Sequence, residues 1–294
     1  MVSGTVDWRG VGWYLIIAFG LAWAIDAGIW RLGGIGDRGI FQGGAALSMW
    51  CPALAAWTVR HLRREGCADV GWRWGAPAAW AGLLLLLPVL FAAAYGATAL
   101  LGWGRLDFSR EGVAARLHLP AGLLPPHWGA FLAVLWLATV LVTPFVNGAW
   151  ALGEEPGWRG YLLPRLWPLG RGGALALSGG IWGLWHAPLV AMGFDYPGHP
   201  VAGILFMMML TTLFGVLLGY LRLRHGSVQL AALAHGAFNA QMFGVWPLAL
   251  AGADPLLGGM TGIAGLFFLA LVAAYCLRRD WVPVGDEPAP RDAD

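Results

Sequence analysis

Glu154 and Glu155 are adjacent, and Arg159 follows the second by four residues. Two neighbouring carboxylates repel when both are ionised, so such a pair in a low-dielectric setting can supply a general base. On a helix they point about 100° apart and face different partners, whereas residues four apart share a face. The spacing predicts Glu155 paired with Arg159 and Glu154 left free for chemistry; a solvated helix end with a surface salt bridge is the plainer alternative. Pro156 lacks an amide hydrogen and suits a first helical turn, which predicts a new helix beginning near Gly153. Two other apolar segments carry polar groups. His186 follows Trp182 by one helical turn, so the indole can brace the imidazole. His235 and Asn239 share a helix face by the same spacing, and polar groups on an apolar helix need a partner inside the bundle. A satisfied core histidine and interhelical hydrogen bonding are the plainer readings of these two. Asp26, inside a further apolar run, has no assigned role.

The elements that must hold these groups are apolar throughout. Of 294 residues, 59% are hydrophobic and 12% charged, where a soluble domain carries about 25% charged residues. The expected fold is all-α, a polytopic transmembrane bundle of about eight helices. The runs long enough to cross some 30 Å of hydrocarbon are 10–30, 40–59, 76–102, 129–150, 172–192, 201–221, 228–250 and 256–277. The first is expected to be a retained span rather than a cleaved leader. Residues 1–281 read as one membrane domain with its catalytic core near 149–240, and the Pro- and acid-rich 282–294 as a disordered tail. All eighteen cationic residues are Arg, and thirteen lie in the termini and even-numbered connections against five in the others. The positive-inside rule then puts both termini and the 66–74 loop in the cytoplasm. A net charge of +2 without a basic cluster argues against nucleic acid, and Cys51, Cys67 and Cys276 form neither a disulfide framework nor a metal motif. Tryptophans near run ends suit interfacial belts.

An ionisable side chain inside a span costs about 2.5–3.5 kcal/mol, so such groups point to function. Glu-Glu-x-x-x-Arg (154, 155, 159), aromatic-x-x-x-His (182, 186) and His-x-x-x-Asn (235, 239), in this order on successive apolar segments, resemble the three motifs of the CPBP family. That family comprises the type II CAAX prenyl endopeptidases and bacterial Abi-type proteins. The flanks Gly157 to Leu166 and Ile181 to Pro188 resemble its bacterial branch, and the likeness covers about Ala149 to Ala240. Trp182 stands where the family usually has Phe, and Pro156 where a bulky aliphatic is common.

The resemblance implies an intramembrane glutamate-dependent endopeptidase. Glu154 and His186 would polarise a water for attack on a peptide carbonyl. His235 and Asn239 would donate to the oxyanion, Glu155 and Arg159 would hold the Glu154 backbone, and Trp158 and Trp182 would line the substrate cavity. No metal or cofactor is implied. The partners would be a membrane-embedded or lipidated peptide and the bilayer, and the location a bacterial inner membrane. Counting rises along the runs puts His235 about 10 Å and His186 about 20 Å deep. The segment after Glu154 must therefore dip into the bilayer, unless the fifth run begins elsewhere. The four reactive groups are expected around one cavity reachable from the cytoplasm. Alternatives are a zinc peptidase using His186, His235 and a Glu, a non-catalytic bacteriocin-immunity or scaffold protein, and a transporter, which the lack of a repeat disfavours.

Overall fold

A computed structural model describes residues 5–279 and Trp281; the proposed 282–294 tail lies outside the described residues. Helix α1 (Trp8–Arg31) starts on Asp7, whose side chain accepts from the Gly10 amide. The second apolar run is two helices, α2 (Arg38–Ser48) and α3 (Cys51–Leu62). Pro52 sits in the first turn of α3 and cannot donate back to Ser48, so the run breaks at Met49–Trp50. Then come α4 (Pro77–Leu100), α5 (Arg110–Arg116) in the long connection, and α6 (Trp128–Leu141) with α7 (Thr143–Ala151), bent by 41°.

The fourth apolar segment does not end near 150. It continues through α8 (Glu155–Gly157), a π-helix (Trp158–Leu162) and α9 (Leu163–Leu166), so the two glutamates, at the start of α8, lie buried within the bundle and not at a solvated end of the segment. Gly170, with φ 79°, makes the turn into α10 (Gly170–Trp185). Helix α10 stops at His186, before Pro188 in the first turn of α11 (Ala187–Ala191). The rest is α12 (Pro200–Arg224), α13 (Val228–Met242), α14 (Val245–Ala249) and α15 (Ile263–Leu277). Two short strands, β1 (Arg105–Leu106) and β2 (Leu250–Ala251), pair antiparallel, Arg105 with Ala251.

All eight apolar runs carry helix, but among the described residues α1, α4 and α12 alone are long and apolar enough to cross a membrane unbroken, with α6 and α7 a fourth span if the bent pair counts as one. The last run is helical only from Ile263. Breaks cost backbone hydrogen bonds, and inside a bilayer they are tolerated where protein or a cavity surrounds them.

Small residues set the closest packing. A Cβ on Gly236 of α13 would lie 2.2 Å from the Gly148 amide nitrogen and 2.4 Å from the Pro144 carbonyl of α7. Gly183 and Gly179 of α10 meet the α12 backbone at Met208 and Thr212 in the same way. Close backbone approach of this kind drives helix association in lipid, where hydrophobic burial cannot.

Contacts between connections divide the molecule into two faces. On one, Asp7 pairs with Arg63 at 2.7 Å, Glu65 with Arg165, and Arg60 with Asp69 at 2.7 Å. Arg222 donates to the Val70 carbonyl and Gln229 accepts from the Arg73 amide. This terminal face joins the start of α1, the 63–76 loop, the α9–α10 turn and the α12–α13 turn. On the opposite face the β1–β2 pair, Phe41 against Phe194, and Tyr196 donating to the Thr261 carbonyl tie the remaining connections.

Gly236→Ala should lower stability by about 1–3 kcal/mol, because its methyl group meets backbone that can yield only by parting α7 from α13. Gly82→Ala, with open space around it, should stay within about 0.5 kcal/mol of wild type. Thermal unfolding of the detergent-solubilised variants checks both.

Candidate active site

The helix breaks gather the motif residues. Glu154 precedes α8 and is 2% exposed. Its Oε2 accepts from the indole N–H of Trp158 at 3.1 Å and of Trp182 at 2.8 Å. Among the described residues Oε1 has no hydrogen-bond partner and is not one of the sealed polar atoms, so it faces the cavity that Glu154 lines. Glu155 is fully buried, and its Oε1 accepts from Arg159 Nη1 at 3.1 Å and from His235 Nδ1 at 2.9 Å. The Arg159 guanidinium lies over the Trp182 ring at 4.0 Å, a cation–π contact that suits a desolvated arginine. The Glu155–Arg159 pair expected from the spacing is thus present, while Glu154 is held through one oxygen by two indoles.

His186 caps the end of α10, and its Nδ1 lies 2.9 Å from the Trp182 carbonyl. A carbonyl only accepts, so Nδ1 carries the hydrogen and Nε2 keeps its lone pair. The same logic makes Nδ1 of His235 the donor to Glu155. The imidazoles are fixed by aromatic neighbours: His235 stands edge-on to Trp182 at 5.3 Å, and His186 to Trp185 at 4.8 Å.

Glu154, Trp182, His186, His235 and Asn239 all line one cavity of about 570 Å³. Helices α2, α7, α10, α12 and α13 form its walls. Three expected site residues lie off it. Glu155 and Arg159 are buried behind Glu154, and Trp158, expected to line the cavity, is 1% exposed beneath it. Trp158 falls there because four residues separate it from Glu154, one helical turn toward the terminal face, where its ring packs edge-on against Tyr14 at 5.7 Å. Trp182 is more than a replacement for phenylalanine, since its N–H reaches Glu154. Asp26 is buried and accepts from Ser48 Oγ at 3.1 Å, joining α1 to α2.

Sequence reasoning passed over Asn147 and Asp195, which also line the cavity. Asn147 was legible as an amide within an apolar run, two helical turns before Glu154. Asp195 was not, because it lies in the α11–α12 connection and reaches the cavity only through the fold. Burial pushes the Asp195 carboxyl up from 3.8 to about 7. Among the described residues no group of three or more His, Cys, Asp or Glu side chains is disposed to hold a metal.

A carboxylate, two imidazoles and an amide thus converge on one mostly apolar cavity. The family described as type II CAAX prenyl endopeptidase Rce1-like matches residues 128–241, from the first residue of α6 nearly to the end of α13. This segment holds all three motifs, and through it the chain is similar to the type II CAAX prenyl endopeptidases. No curated protein matches the chain.

Arg159→Ala leaves Glu155 buried without its guanidinium and should cost about 3–5 kcal/mol, where an exposed pair would cost about 0–1 kcal/mol. Glu154→Gln, which keeps volume and can still accept from both indoles, should melt close to wild type. For Asp195, a carboxyl raised on folding contributes stability that is fully present below about pH 4 and lost as pH rises through about 7. Between pH 5 and 8 the wild-type melting temperature should therefore fall more than that of Asp195→Asn. Thermal melts of the three variants in detergent read all of these outcomes.

Proposed function

We propose that the protein cleaves a peptide bond of a membrane-embedded or lipidated substrate with a water activated by Glu154 and His186. The observation that carries this reading is the convergence of Glu154 Oε1 and the His186 imidazole on one cavity with His235 and Asn239. Water placed between Glu154 Oε1 and His186 Nε2 gives up a proton to one of these acceptors as its oxygen attacks the carbonyl carbon. The carbonyl oxygen becomes an oxyanion facing His235 and Asn239. Asn239 donates through its amide. His235, held through Nδ1 by Glu155, donates through Nε2 when both its ring nitrogens carry hydrogen. Collapse of the tetrahedral intermediate expels the amine, which takes up the proton held at the Glu154–His186 pair, leaving a new carboxylate and a new amine.

The apolar lining explains why the donors are effective. With little competing water, fixed hydrogen bonds act on the developing charge at low dielectric and need no reorganisation. The two indoles on Oε2 hold the Glu154 carboxylate in one orientation and leave the other oxygen for chemistry. We also place the protein in a bacterial inner membrane, on the likeness of its motif flanks, with both termini in the cytoplasm, on the distribution of its arginines.

Glu154→Gln should abolish cleavage while leaving a folded protein; wild-type cleavage by that variant would end the glutamate reading. Trp182→Phe keeps the ring under Arg159 but removes one donor to Glu154, a hydrogen bond to a charged group worth about 1.5–3 kcal/mol. Its kcat should fall at least tenfold with little change in KM. Both are measured as release of new amino termini from peptides in detergent micelles, with Glu154→Gln as the blank.

A further inference from the structure

The active-site cavity opens on the side of the molecule opposite both its termini and its basic loops. Three of its walls show this. Helix α2 leaves the face opposite the termini at Arg38 and lines the cavity from Phe41 to Met49; α12 leaves the same face at Pro200 and lines it from Met207 to Phe214. Helix α13 contributes His235 through Met242, the half that runs toward that face, and Phe194, Asp195 and Phe243 complete the rim. Phe194 contacts both Phe41 and Phe243 there. Toward the terminal face the site is sealed: Trp158, Tyr14, Tyr161, Leu162 and Leu166 are at most 1% exposed. Arg165 and Arg60 stack on Tyr161 from below, at 3.4 and 5.3 Å.

The arginines orient this axis. Leaving out Arg159, which the site uses, and Arg291, outside the described residues, eleven arginines belong to the terminal face and five to the other. The positive-inside rule places the richer face in the cytoplasm. Termini in the cytoplasm and a cavity reachable from the cytoplasm, both expected from sequence, are therefore incompatible, and the arginines decide for the termini. We infer that the cavity opens to the extracytoplasmic side, so that the substrate is a polypeptide segment already carried across the membrane and held at its outer surface. The part concerning substrate rests on the endopeptidase reading above; the part concerning orientation does not.

The native cysteines provide the test. Cys67 is exposed on the terminal face, and Cys51 and Cys276 are buried. On intact cells a membrane-impermeant maleimide should leave Cys67 unlabelled until the cells are permeabilised. In a Cys67→Ser background, Leu123→Cys (71% exposed, in the α5–α6 connection) and Phe243→Cys (64% exposed, at the rim) should label without permeabilisation. Labelling of Cys67 alone on intact cells would overturn the orientation. For the substrate, a water-soluble fluorogenic peptide pool is added outside sealed vesicles, with Glu154→Gln vesicles as the blank. Cleavage should appear in right-side-out vesicles and be at least tenfold lower in inverted ones, and the reverse would overturn the proposal. No cleavage in either preparation or in detergent would remove the endopeptidase reading and the substrate assignment with it, while the maleimide pattern would still decide which way the cavity faces.

Discussion

Glu155 is fully buried inside an apolar bundle, and the site is arranged around what that charge requires. An uncompensated carboxylate there would cost several kcal/mol. Arg159 and His235 both donate to one of its oxygens, and these come from different elements, one from the same helical stretch and one from α13. Arg159 is itself desolvated and lies over Trp182 of α10. One buried charge thus links three segments distant in sequence, and the link fixes Glu154 beside it. Buried ion pairs contribute little net stability compared with apolar packing, but they select one arrangement over others. Here the arrangement selected turns Glu154 toward the cavity and Glu155 away from it.

How much of this was legible in the sequence depends on how local each feature is. The Glu155–Arg159 pair and the shared face of His235 and Asn239 follow from helical spacing alone, and both appear in the structure. The all-α fold follows from the apolar runs. The extent of the fourth segment did not, because Glu-Glu-Pro-Gly has the composition of a solvated helix end. Only the partners supplied by α10 and α13 make it stable inside the bundle. Asp195 could not be found at all, since nothing in its own segment separates it from an ordinary loop acid.

Proline accounts for much of what apolar periodicity missed. Pro52, Pro144, Pro156 and Pro188 each sit in the first turn of a helix that follows a break. Three of the four breaks border the cavity directly, at Met49, Glu154 and His186. A run of apolar residues gives no measure of such a break until its neighbours are known, so eight runs read as eight spans.

The break between α2 and α3 also bears on how the chain assembles in the membrane. No side chain caps α3; the amide of Ala53 instead donates to the carbonyl of Gly153, 2.9 Å away and a hundred residues later in the chain. Gly153 in turn approaches Met49 and Trp50 too closely for any side chain. Until the ribosome has delivered the segment around Gly153, that amide has no protein partner at its final depth. The second hydrophobic segment can enter the bilayer early, but its mid-membrane bend is a late event that waits for the glutamate-bearing turn. The α2–α3 bend and the turn that carries Glu154 therefore reach their final form together, and the α2 wall of the cavity is not set before that turn has arrived.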